Sequence, residues 1–180
     1  DEFTAFAVAT DRAAAGHREL LSNWSGRDGN STESLFVGLT GERAFRLSDA
    51  LSGVGELQQG DQPFLLTAAN GPNGAVLFQG LRQAAFQSAR LPPRRIDTPW
   101  VIGQQGNIAG EYWHGHLSLL VVFERQLNPD ERLAVQTAIS SRFSMPLQAQ
   151  PTAEPASPEQ LALASLCLVL LNTNEFAFID

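Results

Sequence analysis

The chain has 180 residues, 43% of them hydrophobic and 17% charged, with a formal net charge of −7, so it can bury a core but lacks the basic balance of an electrostatic nucleic-acid binder. Cys167 is the single cysteine, which excludes an internal disulfide framework and a cysteine-based zinc site. No apolar run approaches the roughly 20 residues of a membrane span; the longest, LALASLCLVLL at 161–171, would reach only about 16 Å as a helix.

The chain opens directly in the strand-like EFTAFAVAT, with neither an initiator Met nor a leader pattern, and reads as a fragment of a longer protein. In chain order, strands are expected at 3–9, 18–24, 34–40, 43–48, 63–69, 74–80, 82–88, 98–103 and 110–124. The segments GRDGNST, LTGER, ALSGVGELQQGDQ, NGPNG and LPPRRIDTP between them carry turn chemistry. ANGPNGAVLFQG reads as a hairpin: Leu65 to Ala69, a Gly-Pro-Asn-Gly turn, then Val76 and Phe78 facing inward. RDGNS at 27–31 offers Asp28, Asn30 and Ser31 as oxygen ligands in the manner of a calcium loop, but it lacks the bidentate Glu and is more simply an Asx turn. Short strands at this spacing, punctuated by 15 glycines and 10 prolines, predict an all-β antiparallel sandwich or jelly roll rather than a parallel α/β sheet.

GQQGNIAG at 103–110 has the glycines of a phosphate loop without the following helix or the Lys-Ser/Thr pair, and is a strand connection. Next comes EYWHGH at 111–116, the richest chemical constellation in the chain. On a strand, His114 and His116 would project from one face with Tyr112 beside them. Two imidazoles can hold a transition metal if Asp97 or Glu111 supplies a third ligand; the competing readings are a solvent-facing rim and a ligand contact made by the aromatics. The binding residues expected are Tyr112, Trp113, His114 and His116, with no metal and no cofactor. Trp24, Trp100 and Trp113 could form a platform for sugar rings, although a tryptophan in a sandwich belongs to the core more often; Trp24 and Trp100 are placed there, and Trp113 stays open. A retaining glycosidase needs two carboxylates about 5–5.5 Å apart. Asp49, Asp97, Glu33 and Glu111 each stand alone, and no G-x-S-x-G occurs, so catalysis is not expected.

From 115 onward, Leu117, Leu119, Val121 and Phe123 alternate onto one strand face, while Leu120 and Val122 make the other face apolar too, so something must cover part of it. Asn128 is a good N-cap, Pro129 suits the first helical position, and Asp130 and Glu131 complement the helix dipole. Val135, Ala138, Ile139 and Phe143 then form one apolar stripe, predicting a helix folded back to cap the sandwich edge. Residues 144–156 read as a linker. After it, Ser157, Pro158, Glu159 and Gln160 open a capping box for a helix that is apolar nearly all round. Its Leu163, Leu166, Leu170 and Leu171 call for a partner in a second domain.

The stretch 110–143 resembles the end of laminin-G-like, concanavalin-A-like jelly-roll domains, through Gly115, the strand Leu117 to Phe123, the R-x-L-x-x-x-E-R set Arg125, Leu127, Glu131 and Arg132, and the covering helix. FTAFAVAT and ELLSNWSG look like two central strands of that family, so the resemblance spans about 1–143. The family's usual opening Trp-x-Asp-x-Ser-Gly-x-Gly-Asn segment is absent, so N-terminal strands are expected to be missing. LCLVLLNTNEFAFID at 166–180 is similar to the end of a planctomycete cytochrome-associated domain of unknown function, matching at Leu166, Cys167, Leu170, Leu171, Asn172, Asn174, Glu175, Phe176 and Asp180. No haem motif C-x-x-C-H accompanies it. The resemblance implies a jelly roll at 1–143, a linker at 144–156 and a helical tail at 157–180, all within a larger extracytoplasmic parent protein. The function expected is a non-catalytic accessory module with a carbohydrate or protein surface as ligand, and with the parent's other domains as partners. The rivals are a structural spacer and a glycan-active enzyme.

Overall fold

The computed structural model describes residues 2–24, 34–54, 60–106 and 109–146. The calcium-like loop at 27–31, nearly all of the linker and the whole C-terminal tail lie outside the described residues. In chain order come β1 (Phe3–Asp11), β2 (Arg18–Trp24), β3 (Ser34–Leu39), β4 (Ala44–Leu47), β5 (Leu51–Val54), β6 (Gly60–Gly71), β7 (Gly74–Gln79), β8 (Arg82–Gln87), β9 (Val101–Ile102), β10 (Leu117–Phe123) and α1 (Pro129–Arg142). The strands pair antiparallel throughout. They make two five-stranded sheets, sheet A in the order β10-β1-β6-β7-β8 and sheet B in the order β5-β4-β3-β2-β9, stacked as a jelly-roll sandwich.

The interior follows from side-chain size. Sheet A turns small residues inward, Ala5, Ala7, Ala9, Ala68 and Ala75, and sheet B fills the space opposite with Leu20, Leu35, Val37, Leu39, Phe45 and Leu47. Burying each of the larger side chains is worth about 1.5–3 kcal/mol. A bulge between Glu19 and Leu21 lets the consecutive Leu20 and Leu21 both join this core.

The central strands of sheet A, β1 and the second half of β6, are buried on both faces. The sheet's outer side presents Phe6, Val8 and Leu65 to Leu127, Val135, Ala138 and Ile139, so the predicted helix lies across a sheet face rather than at the sandwich edge. Asn128 caps it as expected: its side chain accepts from the Glu131 N–H at 2.9 Å, and the Glu131 carboxylate accepts from the Asn128 N–H at 3.0 Å. Arg132 extends over the Phe78 ring, 3.7 Å from its centroid, and Gln136 donates to Thr67 and the Gly80 carbonyl at 3.1 and 2.8 Å.

Two face assignments change. Ala75 and Leu77 enter the sandwich, whereas Phe78, expected inward, is buried on the helix side under Arg132. Leu117, expected to share a face with Leu119 and Phe123, packs with Leu120 into the sandwich, because the β1–β10 register shifts by one residue between Val8 and Ala9. Three boundaries change as well. β5 lies within a stretch read as a connection, β9 is shorter than expected, and 110–116 is not a regular strand. There the Thr10 hydroxyl accepts from the His116 N–H at 2.9 Å, so a side chain replaces a ladder acceptor.

Candidate ligand-binding face

α1 covers the outer side of sheet A, which leaves the outer side of sheet B as the sandwich face to search. Register defines its residues. Glu19 opposes Gly38, Gly38 opposes Arg46, and Arg46 opposes Ser52, a row across four strands; Ser22 opposes Phe36 and Trp24 opposes Ser34 beside it. Since Leu35, Val37 and Leu39 of β3 point into the core, Phe36 and Gly38 face outward.

Arg46 is the centre of this row. Its guanidinium touches the Glu19 carboxylate, donates to Glu111 Oε2 at 2.8 Å and lies 5.1 Å from the Phe36 ring centroid. Phe36 in turn meets the Trp24 ring edge-on at 5.6 Å. Glu111 arrives from the segment after β9. Its carbonyl accepts from the Glu19 N–H at 3.0 Å, and its backbone sits in the left-handed region at φ 47°. Gly38 makes room below: a Cβ there would clash with the Arg18 carbonyl and the Glu19 carboxylate.

Glu19 is fully buried, and its pKa is pushed up to about 9, chiefly by desolvation; Arg46 opposes the shift and Glu111 adds to it. Glu19 and Glu111 therefore share one arginine. The two carboxyls that linear spacing left apart do meet, but Glu19 has no exposed surface with which to touch a substrate. They form a polar brace between the sheet and the 103–111 connection.

The four expected binding residues are distributed unevenly. Tyr112 is 47% exposed. Trp113 packs on the core beside Phe64 and donates its indole N–H to the Thr10 carbonyl at 3.1 Å, which makes it a pin for its segment. His114 and His116 are exposed, and their carbonyls accept from Arg12 and Thr10 at 2.7 and 2.9 Å. His114 lines a shallow recess of about 520 Å³ with Gly115, Arg12 and the alanines at 13–15, a lining without His116. Among the described residues, no three His, Cys, Asp or Glu side chains converge as a metal site.

Trp100, expected in the core, is 48% exposed just ahead of β9, and Ile102 is 60% exposed. A two-residue strand on a sheet edge has no layer beyond it to bury such a side chain. The Trp113 backbone N–H donates to the Gly103 carbonyl at 2.9 Å, so the segment carrying Glu111 and Tyr112 returns alongside the residue that follows β9. Sequence reading had Tyr112 and, as a lone acid, Glu111; it missed Glu19, Phe36 and Arg46. The available signal was Gly38 inside the apolar SLFVGL, since a mid-strand glycine marks a close approach.

A second charged cluster ties the layers together elsewhere. Asp11 accepts from Arg18 Nε and Nη2 at 2.8 and 2.6 Å, with both side chains buried. Asp11 also accepts from the Ala13 N–H at 3.1 Å, so this pair anchors the β1–β2 crossover.

The sequence matches no protein-family model and no curated protein. Its fold does match solved structures. The CBM40 of a Ruminococcus gnavus IT-sialidase, bound to α2,3-sialyllactose, aligns with a TM-score of 0.61 at 15% identity, over 76% of this chain and 82% of the module. Domain 4 of AbnA, a GH43 extracellular arabinanase from Geobacillus stearothermophilus in complex with arabinotriose, aligns at 0.55 and 12% identity, over 73% and 65%. A Trypanosoma rangeli sialidase aligns at 0.55 and 15% identity, over 80% of this chain and 23% of the enzyme. The likeness establishes the architecture: a two-sheet antiparallel β-sandwich similar in fold to carbohydrate-binding modules and to parts of glycan-processing enzymes.

Proposed function

We propose that this chain is a non-catalytic carbohydrate-recognition module, bound to its ligand at the β9 edge of sheet B, within a larger extracytoplasmic protein. The observation that carries the reading is the half-exposed Tyr112 next to Glu111, whose carboxylate is held by Arg46, with the half-exposed Trp100 leading into the edge strand β9. Flat amphipathic rings suit the apolar faces of sugars, and a fixed carboxylate accepts hydrogen bonds from hydroxyls. Likeness to a sialyllactose-bound module and an arabinotriose-bound domain supports the ligand class. In this reading Tyr112 makes direct contact, Trp113 holds its segment in place, and His114 and His116 extend the surface toward the recess. Residues 1–143 are the module, 144–156 its linker, and 157–180 belong with a neighbouring domain of the parent.

A glycan array probed with the full chain tests the proposal. Retention on a defined set of glycans, weakened at least about tenfold by Trp100→Ala or Tyr112→Ala, is the expected result. Uniform silence would favour a spacer that binds nothing. Release of reducing sugar, abolished by changing one carboxylate, would establish an enzyme instead.

A further inference from the structure

We infer that the saccharide taken at the β9 edge is neutral rather than anionic, an inference that rests on the carbohydrate-recognition reading above. Arg46 is the cation that holds Glu111, and it offers little open surface to a ligand. The same Nη2 contacts Glu19 and lies 2.8 Å from Glu111 Oε2, its plane rests on Phe36, and only 13% of its side chain is exposed. An acid sugar seeking the guanidinium would have to approach past the Glu111 carboxylate, which is 24% exposed and thus meets the ligand first. Like charges so placed repel, and the chain's net charge of −7 adds to the barrier at longer range. Glu111 offers only acceptor oxygens, so its complement is a donor, and sugar hydroxyls supply donors without charge. Tyr112, its half-exposed neighbour in the chain, adds apolar contact that needs no charge either.

The arrangement also predicts how the preference would invert. Glu111→Gln removes the competing charge while keeping shape, leaving Arg46 free to pair with an incoming carboxylate.

Isothermal titration of the full chain with matched oligosaccharides, lactose and arabinotriose against α2,3-sialyllactose and a galacturonic-acid trimer, tests this directly. Wild type should bind a neutral member at least about tenfold more tightly than either acidic one. Glu111→Gln, with folding verified by thermal unfolding, should narrow that ratio, and Tyr112→Ala should weaken the neutral ligand. Tighter binding of an acidic sugar by wild type, or a neutral preference that Glu111→Gln leaves unmoved, overturns the inference while the recognition reading stands. Binding of no saccharide on this panel or on the array sinks both.

Discussion

Glu19 is a carboxyl with no exposed surface, facing an arginine it shares with Glu111, and its titration provides a sharp test of the brace. Below pH about 4.5 it is protonated in the folded and unfolded chain alike; between about 4.5 and about 9 the folded chain keeps a proton that the unfolded chain releases. Stability from this group is therefore full at the acid end and is lost as pH rises through that window. Glu19→Gln mimics the protonated form at every pH. Thermal unfolding near pH 5 and near pH 8 should show the variant gaining on wild type at the higher pH. A constant gap between the two proteins would mean that Glu19 is ionised and paired with Arg46 in the fold.

At the scale of elements, α1 matters because it supplies Val135, Ala138 and Ile139 to the cover of sheet A's outer face, with Leu127, Phe143 and Met145 beside it. Its stripe buries Ile139 completely against Phe6, Val8 and Leu65. Ile139→Ala should cost about 2–5 kcal/mol in urea unfolding, the range for truncating a buried aliphatic side chain. Asn128→Ala removes one half of a capping box whose other half, Glu131, is also held by Arg125 at 2.7 and 2.9 Å, and should cost about 1 kcal/mol. If instead both variants unfold like wild type, the helix does not stabilise the sandwich. The N-cap, the helix and its stripe were all legible in the sequence, because capping chemistry and 3.6-residue periodicity are local. β5 was not: LSGV carries weak strand propensity, and its place comes from pairing with β4 and from the approach of Gly53 to the Ala84 backbone.

For the whole molecule, one sandwich face is sealed by α1 while the β9 edge keeps its aromatics in water. Ending the chain at 126 should uncover Phe6, Val8 and Leu65 and yield a protein that binds hydrophobic dyes or aggregates; a soluble, dye-silent product would show that the helix is dispensable. Composition and period alone determined that this is an antiparallel β-sandwich with a capped covering helix, since strand alternation, turn residues and caps act over a few neighbours. Face assignments at β7 and β10 needed the fold, because a sheet buried on both sides erases the contrast that alternation relies on, and one bulge reverses the rest. The Glu19–Arg46–Glu111 brace and the exposure of Trp100 also came from tertiary structure alone. They join residues from β2, β4 and the segment after β9, and only backbone pairing brings such distant positions within the few ångströms over which charge and contact act.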